Sequence, residues 1–393
     1  MAAGAENGHI SQRVTQLDAL RACLMLLGII IHASFVFISE QRWLVASDDV
    51  SYFFDYLTLS IHSFRMPAFF LISGFLYALV LCRSRILPFF ASRSTRVLIP
   101  LFAAGVLLNG AQLYLFQIIG TEAGLATING QACESVADVL RGACWEIHLW
   151  FLIVLFYFFI LCFPIAIILT RVTKITIPTP SSWLWPATVV FFIAIVQAVY
   201  SAAYRGYFGF VDYLPFLSDP KFYYYLPYFV FGVLLSRAKI QPHAWTGLGL
   251  PAIALLLASW IYFLYSFSPA DTSISQHVRG GRHQLWTSTA VAFQTTSALI
   301  VLFLRLPAFK PEISRYLSDC SYTIYLFHHI LVFLLAVLLI NTGLPIAIQF
   351  IALVIAVVLL SWAIHHYVVS RSRLGTIIFN GRLDNTARPR RSA

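Results

Sequence analysis

Ten apolar stretches, each near the length of a bilayer-crossing helix, constrain this 393-residue chain more than any other feature. A hydrocarbon core about 30 Å thick needs about 20 apolar residues in helical form. The stretches run at about 17–38, 54–82, 97–119, 148–170, 186–204, 222–236, 245–266, 285–305, 318–340 and 345–369. The sixth is short, and the second is long and interrupted by His62, Arg65, Pro67 and Ser73-Gly74. Only 11% of the residues are charged, against about a quarter in soluble domains, and the mean hydropathy is +0.80. Backbone groups facing lipid must be paired within their own segment, so the expected fold is an all-α polytopic bundle of about ten transmembrane helices. The expected organisation is a cytoplasmic segment over 1–16, a transmembrane domain over 17–370 and a basic cytoplasmic tail over 371–393. No internal repeat is legible.

The basic residues set the orientation. With the N-terminus inside, eighteen of the 26 lysines and arginines fall in cytoplasmic segments and six in outer loops; Arg21 and Arg65 lie within apolar stretches. Such a bias predicts both termini in the cytoplasm. The formal charge of +10 then reflects topology and anionic lipid, with no nucleic-acid partner expected. The first stretch is too long for the apolar core of a signal peptide and carries Asp18 and Arg21, so it is expected to stay as a span. The six cysteines have no metal-like spacing. Cys133 and Cys144 share one outer loop, where a disulfide is left open.

Polar groups inside the apolar stretches are the functional candidates, because they are expensive there. Arg21 and His32 are eleven residues apart, close to three helical turns, so one face carries a guanidinium and an imidazole roughly 16 Å apart along the axis. His62 and Arg65 share a face of the second helix. His328 and His329 lie near mid-membrane in the ninth, so three helices direct imidazoles and an arginine toward one level. The bland alternative is interhelical hydrogen bonding.

At the inner side, Arg93 and Arg96 in ASRSTRVLIP, with Ser92, Ser94 and Thr95, are expected to open the third helix. Basic forks, hydroxyls and free helix N–H groups suit phosphate, although positive-inside anchoring accounts for such arginines too. At the outer mouth, Glu146, His148 and Trp150 in CWEIHLWFL suit a sugar, through ring stacking and hydroxyl hydrogen bonds.

Together these residues resemble the membrane-bound acyltransferase-3 family. Arg21 with His32 matches its Arg/Lys-x10-His motif, Arg93 with Arg96 its Arg-x-x-Arg motif, and HSFRMPAFFLISGFL (62–76) its second helix. The resemblance runs from Leu17 to the end of the tenth stretch. The blocks LDALRACLMLLGIIIH, IHSFRMPAFFLISG, RVLIP, HLWFLIVL, YLPYFVFG and SYTIYLFHH resemble more narrowly a branch that succinylates osmoregulated periplasmic glucans. The resemblance implies O-acyl transfer, in a bacterial inner membrane, from cytoplasmic acyl-CoA, succinyl-CoA favoured, to a glucan hydroxyl on the outer side. Acyl-CoA is a co-substrate; no permanently bound cofactor and no metal are expected.

On that reading His32 is catalytic, as a general base in the right pKa range, with an acyl-histidine route left open. Arg93, Arg96, Arg21 and Asp18 bind the donor, and His62, Arg65 and His328 position the acyl group. Glu146, His148 and Trp150 bind the acceptor. Arg65 offers a bidentate partner for a succinyl carboxylate, or else braces the interrupted second helix. The alternative function is a secondary transporter or flippase for an anion or sugar, whose inverted repeat is not seen. A structural partner of glucan-synthesis machinery is a third reading.

Overall fold

The computed structural model describes residues 2–39, 43–82, 85–119, 147–171, 184–205, 220–236, 250–279, 282–307 and 309–383. Among these residues the chain is helical and contains no strand. Helix α1 spans Ala2–Ser34, α2 Tyr52–Leu81 and α3 Ile86–Ala104, which passes through a π turn at Gly105–Asn109 into α4, Gly110–Ile119. Then follow α5 (Trp150–Leu161), α6 (Phe163–Arg171), α7 (Leu184–Tyr204), α8 (Pro220–Leu235), α9 (Leu250–Tyr265) and the short α10 (Ile274–Arg279). Next are α11 (Arg282–Arg305), α12 (Pro311–Leu339), α13 (Ile346–Ala363) with a second π turn at Ile364–Val369, and α14 (Arg373–Asn380).

Six segments are long and apolar enough to cross a membrane: Thr15–Ser34, Tyr52–Leu81, Ile86–Phe116, Gln284–Arg305, Pro311–Leu339 and Ile346–Val369. Four shorter apolar helices, Trp150–Leu161, Ala187–Ala203, Phe222–Leu235 and Leu250–Tyr265, coincide with the other four apolar stretches. The chain is thus a multi-pass membrane protein. Its residues group into two units, 1–24 with 55–85 and 157–318, and 25–54 with 86–156 and 319–393.

In the first unit, α2 and α8 touch backbone to backbone. A methyl group placed on Gly74 would lie 2.9 Å from the carbonyl carbon of Phe229 and closer still to its oxygen. One on Gly232 would lie 2.9 Å from the amide nitrogen of Phe75 and closer still to the Leu71 carbonyl oxygen. Lipid gives helices no hydrophobic reason to associate, so close packing of small residues supplies the contact. The second stretch is therefore not interrupted: α2 is continuous through Pro67, and Gly74 is a crossing point. Around it Tyr77 stacks on Phe159 at 5.1 Å and donates its hydroxyl to the Phe159 carbonyl at 2.7 Å, while Phe70 meets Phe158 at 5.2 Å. Elsewhere in this unit Phe192 stacks on Phe293 at 4.3 Å, and the His277 ring nitrogen donates to the Phe263 carbonyl at 3.0 Å.

In the second unit the loop after α1 folds back on itself. The Ser47 amide donates to the Val36 carbonyl at 2.8 Å and the Ser51 amide to that of Phe37 at 3.1 Å. Phe37, Phe54 and Phe350 pack beside it, with ring separations of 5.3 and 4.9 Å along the chain of contacts.

Candidate functional site

Four imidazoles meet in the second unit. The His32 ring lies 5.0 Å from that of His328, 4.8 Å from His329 and 6.5 Å from His148. His148 stacks parallel on His329 at 4.8 Å and meets His328 at 5.2 Å. His148, His328 and His329 are buried, whereas His32 is the one member of the four that keeps partial access. Among the described residues no group of three His, Cys, Asp or Glu side chains is arranged to hold a metal ion.

Each ring reaches the cluster for a local reason. His32 sits in the last turn of α1, three turns above Arg21 on the same face. His328 and His329 are consecutive on α12, so they point about 100° apart and bracket the His32 ring. His148 lies in the turn before α5, where Ile147 adopts a positive φ of 37°, an uncommon conformation for a β-branched residue.

Hydrogen bonds then fix the ring tautomers. His328 Nδ1 lies 2.6 Å from the Tyr325 carbonyl, which only accepts, so Nδ1 carries the proton. His329 Nδ1 lies 2.9 Å from Gln112 Oε1 and donates to it, leaving Nε2 as the basic nitrogen of that ring. Gln112 follows the π turn at Gly105–Asn109, a device that re-aims side chains and recurs at functional sites. The Tyr325 hydroxyl donates to the His148 carbonyl, tying α12 to the turn before α5. Trp43, from the folded loop, lies 5.4 Å from His329 and 6.4 Å from His32.

The other sequence candidates distribute as follows. Arg21 lies 3.4 Å from Asp18, one turn earlier on α1, and its guanidinium stands 5.3 Å over the Phe69 ring. His62 and Arg65 belong to the first unit, one turn apart on α2 and both half-buried. Trp150 begins α5 and is half-buried. Glu146, Cys133 and Cys144 lie outside the described residues.

Arg93 and Arg96 require a correction. They do not open the third helix, because α3 starts at Ile86, two turns before Arg93. The N–H groups beside them are spent inside the helix, so only the side chains are available for an anion. Arg93 stands 5.6 Å over the Phe89 ring and Arg96 is exposed. The Tyr322 hydroxyl of α12 donates to the Arg96 carbonyl at 3.0 Å.

The sequence puts His148 at a separate outer mouth and His329 in the polar constellation without a role of its own, and it points to none of Gln112, Trp43 and Tyr325. The adjacent His328-His329 pair was the available signal: two imidazoles in an apolar helix are seldom both packing residues.

Comparisons with known proteins cover most of the chain. Residues 14–366 match the acyltransferase-3 family, described as an acyltransferase domain. Glucans biosynthesis protein C of Escherichia coli O17:K52:H18 (strain UMN026) is 29% identical over 333 residues, covering 81% of this chain and 82% of its own length. The protein of the same name from Escherichia coli O9:H4 (strain HS) is 28% identical over the same shares. No solved structure matches the chain.

Proposed function

The chain belongs to the acyltransferase-3 family, and from that premise we propose that it moves an acyl group, favoured as succinyl, from cytoplasmic acyl-CoA to hydroxyls of a periplasmic osmoregulated glucan. The glucan acceptor follows from the name of the relatives, and the succinyl donor from the sequence blocks shared with the glucan-succinylating branch. The inner-membrane location rests on the family resemblance, and both termini inside on the distribution of Lys and Arg. The single observation that carries the chemistry is His32, the accessible ring of four converging imidazoles.

In the proposed reaction a glucan hydroxyl attacks the thioester carbonyl while His32 takes its proton. The C–S bond then breaks, the acyl ester forms on oxygen, and the proton passes to the departing CoA thiolate. His328 and His329, with their Nδ1 protons already committed, hold the ring of His32 at a fixed angle. Arg93, Arg96 and Arg21, the last steadied by Asp18, hold the donor's phosphates. Arg65 and His62 receive the succinyl carboxylate, which needs a cation at that depth. Binding of the acceptor is assigned to His148, Trp150 and Glu146.

The test is His32→Ala in purified full-length protein supplied with labelled succinyl-CoA and glucan. Acyl transfer should fall by about 10²–10⁴-fold while CoA binding is retained. Near-normal turnover ends the assignment, and donor crossing the bilayer intact with no CoA release points to a transporter.

A further inference from the structure

The last described segment, residues 372–382, lies beyond the family-matching region, which ends at residue 366, yet it is built as carefully as any span. Ser372 caps α14 by accepting from the Gly375 amide at 3.1 Å. At the other end Gly381, in the left-handed region at φ 59°, donates to the Ile377 carbonyl at 3.0 Å, a glycine-terminated helix end. Phe379 packs on Phe327 with rings 4.9 Å apart. Asn380 Oδ1 accepts from the Thr323 hydroxyl at 3.1 Å. The same hydroxyl lies 2.9 Å from His365 Nδ1 and 3.2 Å from the Asp319 carbonyl oxygen.

What this segment ends on is the Arg-x-x-Arg motif. A methyl group on Gly381 would lie 2.8 Å from the Arg96 amide nitrogen and closer still to its Cα and to the Thr95 carbonyl oxygen. Only glycine fits there. The next residue, Arg382, forms an ion pair of 2.5 Å with Asp319. Asp319 stands one turn before Tyr322 on α12, and Tyr322 is the residue that donates to the Arg96 carbonyl. A carboxylate is thus held within one turn of the level at which α12 touches Arg96. Its charge opposes an anion drawn to Arg93 and Arg96, and Arg382 beside it offsets that opposition.

We propose that residues 372–382 form a positioning element of the donor site, in which Gly381 seats against Arg96 and Arg382 neutralises Asp319. This rests on the reading that Arg93 and Arg96 bind the donor's phosphates. A segment that only covered apolar surface has no need to finish against Arg96, nor to bring a cation to a carboxylate one turn from Tyr322.

The two sides of the ion pair give the decisive readout, with CoA itself titrated into detergent-purified full-length protein. Arg382→Gln takes this cation from Asp319 and should weaken CoA binding roughly tenfold, the scale of one charge-assisted contact. Turnover at saturating donor and the KM for glucan should be unchanged. Asp319→Asn breaks the same pair but removes the opposing charge, so CoA should bind as in the native protein or more tightly. A merely structural pair moves both variants alike, and equal weakening overturns the charge argument. Gly381→Ala should also raise the Kd for CoA through displacement of Arg96. Native binding by both Arg382→Gln and Gly381→Ala, with binding lost in Arg93→Gln/Arg96→Gln, defeats this inference and leaves the donor site standing. Native binding by Arg93→Gln/Arg96→Gln defeats the donor-site reading and this inference with it.

Discussion

Gly232→Ala drives a methyl group into the backbone of α2, and the structure sets the scale of the damage. The added carbon meets the Phe75 nitrogen at 2.9 Å and the Leu71 carbonyl more closely, where ordinary contact begins at 3.4 Å. Helices α2 and α8 must part by well over the 0.5 Å that the Phe75 contact alone requires, because a backbone group has no rotamer through which to yield. Overpacking costs about 1–3 kcal/mol, and a contact with two backbone atoms belongs at the upper end. At roughly 2–4 °C per kcal/mol for a chain of this class, the apparent Tm of the detergent-solubilised protein should fall by about 5–10 °C. Gly74→Ala, facing Phe229 from the other helix, should act similarly. The double variant should lose less than the sum, since one separation relieves both contacts. Gly110→Ala is the control: its methyl group would meet nothing nearer than the Gly105 carbonyl at 3.9 Å, and alanine is the better helix former. A Gly232→Ala protein as stable as the native one, or one less damaged than Gly110→Ala, refutes the account of this crossing.

Two further substitutions examine the site. Gln112→Leu removes the acceptor of the His329 Nδ1 proton and frees the ring's tautomer; kcat should fall roughly tenfold, a loss of about 1.4 kcal/mol in the transition state, with the KM for donor unchanged, and unaltered turnover dismisses the bond as incidental. Arg65→Gln should lower succinyl-CoA use far more than acetyl-CoA use in paired assays, whereas an equal loss with both donors makes Arg65 a scaffold residue.

Much of the membrane architecture is legible in the order of apolar residues, because burial in lipid demands long uninterrupted runs. The Arg21–His32 relation is equally legible, since it depends only on helical pitch within one segment. What the sequence hides is what distant segments do to each other. Nothing near Gln112 announces that a π turn at Gly105–Asn109 swings it to His329, 217 residues away. Ser73-Gly74 reads as a break because glycine weakens helices, but the structure uses Gly74 for a backbone contact with α8 that only the partner helix explains. The same limitation affects Arg93 and Arg96. Local hydroxyls suggest a helix start there, while the apolar residues from Ile86 onward, which extend α3 by two turns, sit against a charged segment that masks them. Nothing in the sequence around Trp43 shows that its ring comes within 6.4 Å of that of His32.

The most direct test of the central claim is vectorial. Inverted membrane vesicles containing the full-length protein, with glucan enclosed, receive succinyl-CoA labelled in the succinyl group on the outside, the former cytoplasmic face. The account predicts label esterified to the enclosed glucan, one CoA released outside for each ester formed, and neither product with His32→Ala. Label entering as intact succinyl-CoA, or CoA release that persists in His32→Ala, contradicts it.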